Sequence, residues 1–348
     1  MVTQNLLNQP PEAAVDVVFT RTFAAPRSLV YEVWTSPAHA VHWWQPGGFE
    51  PTIIEAMDVR PQGKFRFRML HESGVEYLCH GTYLEVIPDT RLTYHELCDE
   101  NGVRFHDAQL AISFEETAGQ TTVTIRARME MLPGRPDPWT PQAMSEGWTH
   151  GWKANAALLE DYLQSRVAAV AAAEPPQTGG MHSEIFGREV VFTRFFKAPR
   201  PLVYEAWTNP VHMARWWGPN GFTIPECRSD LRPGGDFRIV MRSPDGVDYP
   251  VKGMYLHVAP NECVVMTDDA AEHPEEWQEL LNKHRETEGA PPLKLVWSAA
   301  FADCDGGTRL TLTSRFASIA DRDATLMMGM TEGWSESLDR LEAALQSL

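Results

Sequence analysis

Residues 19–49 read FTRTFAAPRSLVYEVWTSPAHAVHWWQPGGF, and residues 192–222 read FTRFFKAPRPLVYEAWTNPVHMARWWGPNGF. Position by position, 20 of the 31 residues are identical at a constant offset of 173. Further on, Arg60-Pro61-Gln62-Gly63 pairs with Arg232-Pro233-Gly234-Gly235, and Gly81-Thr82-Tyr83 with Gly253-Met254-Tyr255. Near the ends, Ser145-Glu146-Gly147-Trp148 is matched to Thr331-Glu332-Gly333-Trp334. A unit of about 150 residues is too long for a solenoid repeat and has the size of a whole domain. The chain reads as one domain written twice.

Within the first copy, Val15, Val17 and Phe19 alternate with Asp16 and Thr20, the period of a strand. Leu29, Val30, Val33 and Trp34 follow at helical spacing, and Ser36-Pro37 opens a second short helix, Ala38–Trp44. Six runs rich in β-branched and aromatic residues come next, from about Thr52 to Met129, with no helix between them. From Thr140-Pro141 to about Val170, Met144, Trp148, Trp152, Asn155 and Leu159 form one stripe of a long helix. The second copy repeats that stripe with Met330, Trp334, Leu338, Leu341 and Leu345.

This order predicts an α+β fold twice over: a curved antiparallel sheet covered by a long C-terminal helix, with two short helices after the first strand. The expected boundaries are a flexible N-terminus at 1–14, a first domain at 15–170, a linker at 171–187 and a second domain at 188–348. Pro175-Pro176 and Gly179-Gly180 punctuate that linker.

Composition narrows the function. Of 348 residues, 30 are basic and 47 acidic, a formal charge of −17 that the halves share as −9 and −8. Such a field repels nucleic-acid phosphate and anionic lipid, so neither nucleic acid nor membrane is an expected partner. No apolar run reaches the ~18 residues of a membrane span. No secretory leader is visible at the N-terminus. The five cysteines, Cys79, Cys98, Cys227, Cys263 and Cys304, include no C-x-x-C and suggest neither a disulfide framework nor a zinc site. The reading is a reduced, cytoplasmic chain without cofactor or metal.

The W-T-x-P-x5-W-W-x-P stretch (Trp34, Thr35, Pro37, Trp43, Trp44, Pro46; Trp207, Thr208, Pro210, Trp216, Trp217, Pro219), the R-P-x-G-x-F segment and the late E-G-W together resemble the bacterial form of the activator of heat-shock protein 90 ATPase homologue family. That family sits in the SRPBCC group and shares the START-like helix-grip fold. The resemblance implies the same strand order and a hydrophobic cavity between sheet and C-terminal helix. It also implies several tasks, since related members include ligand carriers, aromatase/cyclases and a co-chaperone.

The expected ligand-binding residues are Trp43, Trp44, Phe49, Met144, Trp148, Trp152, Trp216, Trp217, Phe222, Met330 and Trp334. Consecutive tryptophans on a helix point about 100° apart, so one of each pair packs as core while the other is free to line a cavity mouth. Asp58 with Arg60, and Asp230 with Arg232, read as structural ion pairs. Gly147 and Gly333 read as points of close packing. His80, His95 and His106 have no counterparts in the second copy. Residues 268–292 of that copy hold an insertion with Pro274, Trp277, Leu280, Leu281 and His284 at helical spacing, read as a short amphipathic helix that packs as a lid over the second pocket mouth or against the other copy.

The favoured reading is binding of a hydrophobic or aromatic small molecule in the cavity. Co-chaperone-like protein interaction and a cyclase- or hydrolase-like enzyme are the alternatives; a protein partner or a homodimer stays open.

Overall fold

Along β1 (Ala14–Phe23) Val15 and Val17 are buried while Asp16 and Val18 face water, which sets the inner face of the first sheet. In the computed structural model, which describes residues 14–131, 140–172, 180–285, 291–304 and 306–348, the chain divides into two units, Met1–Val167 and Ala168–Leu348. Apart from Ala14, the stretch expected as a flexible N-terminus lies outside the described residues.

In the first unit, β1 is followed by α1 (Arg27–Thr35) and α2 (Pro37–Ala40). Six strands succeed them: β2 (Ile53–Met57), β3 (Lys64–Leu70), β4 (Glu76–Ile87), β5 (Arg91–Glu100), β6 (Val103–Thr117) and β7 (Gln120–Met131). α3 (Pro141–Ala172) closes the unit. All neighbours pair antiparallel in the order β1-β7-β6-β5-β4-β3-β2, so β1 returns to pair with the last strand. From His106 onward the inward alternation holds along β6, where Ala108, Leu110, Ile112 and Phe114 are all buried.

The second unit repeats this plan: β9 (Glu189–Phe196), α4 (Arg200–Thr208), α5 (Pro210–Trp216), β10 (Thr223–Ser229), β11 (Asp236–Arg242), β12 (Asp248–Ala259), β13 (Cys263–Asp269), β14 (Lys294–Cys304) and β15 (Gly307–Phe316). An added strand and a split of the closing helix depart from the sequence reading, while the helix expected in the insertion forms. β8 (His182–Phe186) falls inside the expected linker 171–187 and pairs with β9, making this sheet eight-stranded. α6 (Glu275–Arg285) is the insertion helix. The closing helix is split into α7 (Ile319–Met327) and α8 (Met330–Leu345) at Gly329, whose φ of 86° only glycine adopts freely.

The repeated motif builds the same corner in both units. The Trp43 indole N–H donates to the Val33 carbonyl at 3.1 Å, and that of Trp216 to Ala206 at 2.8 Å. Thr35 and Thr208 each return their hydroxyl to the carbonyl four residues back. Trp34 then stacks on Trp152 with centroids 5.7 Å apart, and Trp207 on Trp334 at 6.0 Å.

This stacking corrects the alignment of the long helices. Trp334 is the counterpart of Trp152, one helical turn beyond Trp148. Gly151 and Gly333 agree, since each faces the equivalent proline, Pro46 or Pro219. The stretch EGWTHGW offers two G-W pairs, and the match of Gly333-Trp334 to Gly147-Trp148 picks the wrong one. Gly333 is also less crowded than expected, because an added Cβ there would meet Pro219 at an ordinary 3.8 Å.

Candidate functional site

Between the sheet and α3 of the first unit lies a cavity of about 420 Å³. Its walls come from β3, β4, β5 and β6, the Pro46–Phe49 turn and the first half of α3. Trp44, Phe49, Met144, Trp148 and Trp152 all line it. Trp43 does not; it is fully buried behind Trp44, held by its bond to Val33. Phe49 stands at the mouth, with ring contacts to His71 and Tyr77.

Polar groups of the wall include His71, Ser73, His150 and Asn155, and a further pair is set side by side across two strands. Glu96 on β5 and His106 on β6 are 8% and 6% exposed, and both line the cavity. His106 Nε2 lies 3.4 Å from Glu96 Oε1. With the Nε2–H donating to that carboxylate, Nδ1 carries the lone pair, and Nδ1 is buried with no hydrogen-bond partner. Cys98 sits directly between Cys79 and His106: Cys79 pairs with it across β4 and β5, and His106 across β5 and β6. Both cysteines line the cavity.

Cys79 and Cys98 are joined as a disulfide, which corrects the expectation of five reduced cysteines. Their separation of 19 residues carries no signal in sequence; only the register of β4 on β5 brings them opposite. The other histidines of that reading face outward. His80 pairs with Asp99 at 3.5 Å, and His95 with Asp107 at 2.5 Å. Asp58–Arg60 and Asp230–Arg232 form exposed ion pairs of 2.8 Å each.

The second unit carries a different interior at the same positions. Gly253 meets the Thr267 carbonyl as Gly81 meets that of His95, so Asp268 stands where Glu96 does. Following the register outward, Val251 replaces Cys79, Ala270 replaces Cys98, Leu293 replaces His106 and Trp297 replaces Leu110. The Trp297 indole packs on Trp207, Trp217 and Trp334, occupying volume that Leu110 leaves empty in the first unit. Of the expected residues here, Trp216 is core, Trp217 and Trp334 belong to this indole cluster, Phe222 contacts Tyr249, and Met330 is half-buried beside the same core. α6 packs inward through Leu281 and Trp277, although Leu280, expected on its apolar stripe, points to solvent. Arg285 at its end pairs with Asp321 of α7 at 2.7 Å.

Burial pushes the Asp268 carboxyl up to about 7, opposed by a hydrogen bond from Trp297. Burial pushes His273, packed between Tyr249 and Trp277, down to about 4. The linkage signs oppose. Asp268 favours the folded state in acid, and that contribution is lost as pH rises from about 4 to 7. His273 favours it above about pH 6.5, and that contribution is lost as pH falls toward 4. Across this window the two contributions oppose one another. Asp268→Asn should unmask an acid-sensitive second unit and His273→Gln an alkali-sensitive one, each by about 5 °C of Tm in calorimetry. Parallel profiles in all three proteins would refute this.

Residues 24–164 and 197–346 both match the family model described as activator of Hsp90 ATPase homolog 1-like protein. The chain belongs to this family. Its helix-grip fold, present twice, is the α+β architecture described above. No curated protein matches the chain. Among solved structures, a Nitrosomonas europaea protein is 26% identical over 46% of this chain and 94% of its own, with a TM-score of 0.38. A Mycobacterium smegmatis protein is 23% identical over 48% and 96%, with a TM-score of 0.39. StfQ, a di-domain ARO/CYC from the steffimycin biosynthetic pathway, is 12% identical over 95% of this chain and 98% of its own, with a TM-score of 0.47. No helix among the described residues is long and apolar enough to cross a membrane.

Sequence reasoning found the aromatic lining of the first unit and missed its polar floor. His106 was visible as a histidine without a counterpart. What sequence lacked was the register that sets it beside Glu96 and Cys98.

Proposed function

We propose that the first unit binds a small molecule with an apolar or aromatic body and one hydrogen-bonding group, and that the second unit is a companion whose equivalent space is largely filled. One observation carries this reading: a 420 Å³ cavity walled by indole, phenyl and thioether groups with a single buried carboxylate–imidazole pair in its wall. Flat aromatic walls supply contact area at little entropy cost, while one polar pair sets the ligand's orientation. Trp44, Phe49, Met144, Trp148 and Trp152 are the contact residues in this proposal. The acidic surface favours uncharged or cationic compounds over anions.

The test is fluorescence titration with the uncharged probe N-phenyl-1-naphthylamine. The expected result is one site per chain, with quenching of tryptophan emission. Val75→Phe at the cavity wall should weaken binding at least tenfold while leaving the unfolding midpoint in place. Binding unaffected by that variant, or no binding at all, refutes the reading. Glu96 and His106 also favour a second reading, acid–base turnover of the bound compound. Recovery of a native ligand chemically altered after incubation would select it; recovery unchanged selects binding.

A further inference from the structure

We propose that Cys79 and Cys98 form a redox-active dithiol/disulfide site that exchanges with small uncharged thiols entering the first unit's cavity, with Cys79 as the sulfur attacked. The inference stands on the placement of the sulfurs and not on what else the cavity binds.

Three observations carry it. The two cysteines are directly opposed on β4 and β5 with Cα atoms 4.3 Å apart, the close spacing of a non-hydrogen-bonded pair, which brings their sulfurs together. Both face the cavity and not the outer surface, which gives a thiol a route to them. The second unit builds the same sheet with Val251 and Ala270 at these positions, so the fold has no need of a staple there.

The asymmetry of the site assigns the roles. Cys98 is 2% exposed, whereas Cys79 is half-buried and the more accessible sulfur. Cys98 also stands directly opposite His106, whose buried Nδ1 has no partner and whose ring is held by Glu96. A thiol reaches the more exposed sulfur, so Cys79 is attacked and Cys98 leaves. In the first step the thiolate of RSH forms a bond to Cys79 Sγ, the Cys79–Cys98 bond breaks, and its electron pair goes to Cys98. The proton lost by RSH ends on Cys98 Sγ. In the second step another RSH attacks the mixed disulfide, RSSR departs, and Cys79 receives the second proton. Two thiols are oxidised and one disulfide reduced. The reverse sequence lets a small disulfide oxidise the pair.

The experiment uses the full native chain, first oxidised with hydroxyethyl disulfide and then exposed to millimolar 2-mercaptoethanol. Samples are quenched with N-ethylmaleimide and mapped by peptide mass spectrometry. Cys227 and Cys263 are poor background sites, since burial pushes both thiols up to about 11, and mapping separates the exposed Cys304. The expected result is a Cys79–Cys98 bond that opens without unfolding. The mercaptoethanol adduct should appear on Cys79 at least tenfold more than on Cys98, and accumulate on Cys79 in Cys98→Ser. Two freely alkylated thiols after oxidation would overturn the proposal. So would a bond that opens only in denaturant, which marks a structural staple, or an adduct mainly on Cys98. Because the wild-type adduct is mapped directly, the result does not depend on the variant folding.

Discussion

Gly81→Ala lowers the unfolding midpoint of the first unit by about 10 °C, an expected cost of about 3 kcal/mol. A methyl group at this position in β4 would lie 1.9 Å from the His95 carbonyl oxygen and 2.7 Å from the Phe65 ring. Neither can retreat cheaply. His95 belongs to β5 and is paired on both sides, and Phe65 is 2% exposed in contact with Phe67, Tyr83 and Tyr94. The methyl therefore has to push β4 away from β5 two pairs from Cys79–Cys98, loosening the cavity wall as well. Gly74→Ala is the control. It has a φ of 85° but nothing within 4 Å, so it carries only the left-handed backbone cost of about 1 kcal/mol. Differential scanning calorimetry of the two variants distinguishes steric crowding from conformational strain. Equal, small shifts would mean that β4 and β5 do not approach as closely at Gly81 as described.

Gly81 also shows why the fold was legible. Its recurrence as Gly253, in the same context of a facing carbonyl and phenylalanine, is what a duplicated close approach leaves in a sequence. The W-T-x-P and W-W residues are legible for a similar reason, and one tryptophan of each pair packs as core, as their spacing on a helix predicts. Trp43 and Trp216 recur because they lock the corner between two short helices, a requirement of the fold in both copies. A ligand site has no such obligation to repeat. Cys79, Glu96, Cys98 and His106 become Val251, Asp268, Ala270 and Leu293, so a reading that weighted repeated residues passed over the groups in which the copies differ. β8 was missed because Pro175-Pro176 and Gly179-Gly180 mark a break without saying how soon the next strand begins. The slip of one turn between the long helices has a simple cause: two G-W pairs four residues apart are equivalent to any helical pattern.

The second large effect is expected at the Glu96–His106 pair. Glu96→Leu and His106→Leu should each destabilise the first unit by about 3–5 kcal/mol, while the double variant should stand near wild type. The reasoning is that each single change leaves one buried polar group facing an apolar neighbour, and such a group has lost water without recovering a partner. Removing both leaves a leucine-lined wall like that of Leu293 in the second unit, where the half-buried Asp268 carboxyl keeps a hydrogen bond from Trp297 instead. Urea unfolding of the four proteins gives the coupling energy directly. Single variants that cost less than about 1 kcal/mol would mean that water solvates the pair, and a wet floor would remove the premise that it orients a ligand. The same four proteins test that orientation. A hydrogen bond to a charged group contributes about 1.5–3 kcal/mol, so wild type should prefer 1-naphthol over naphthalene by at least tenfold more than the double variant does. If the preference survives both leucines, the polar end of the ligand is read by another wall of the cavity, and His71 and Ser73 at its rim become the groups to change.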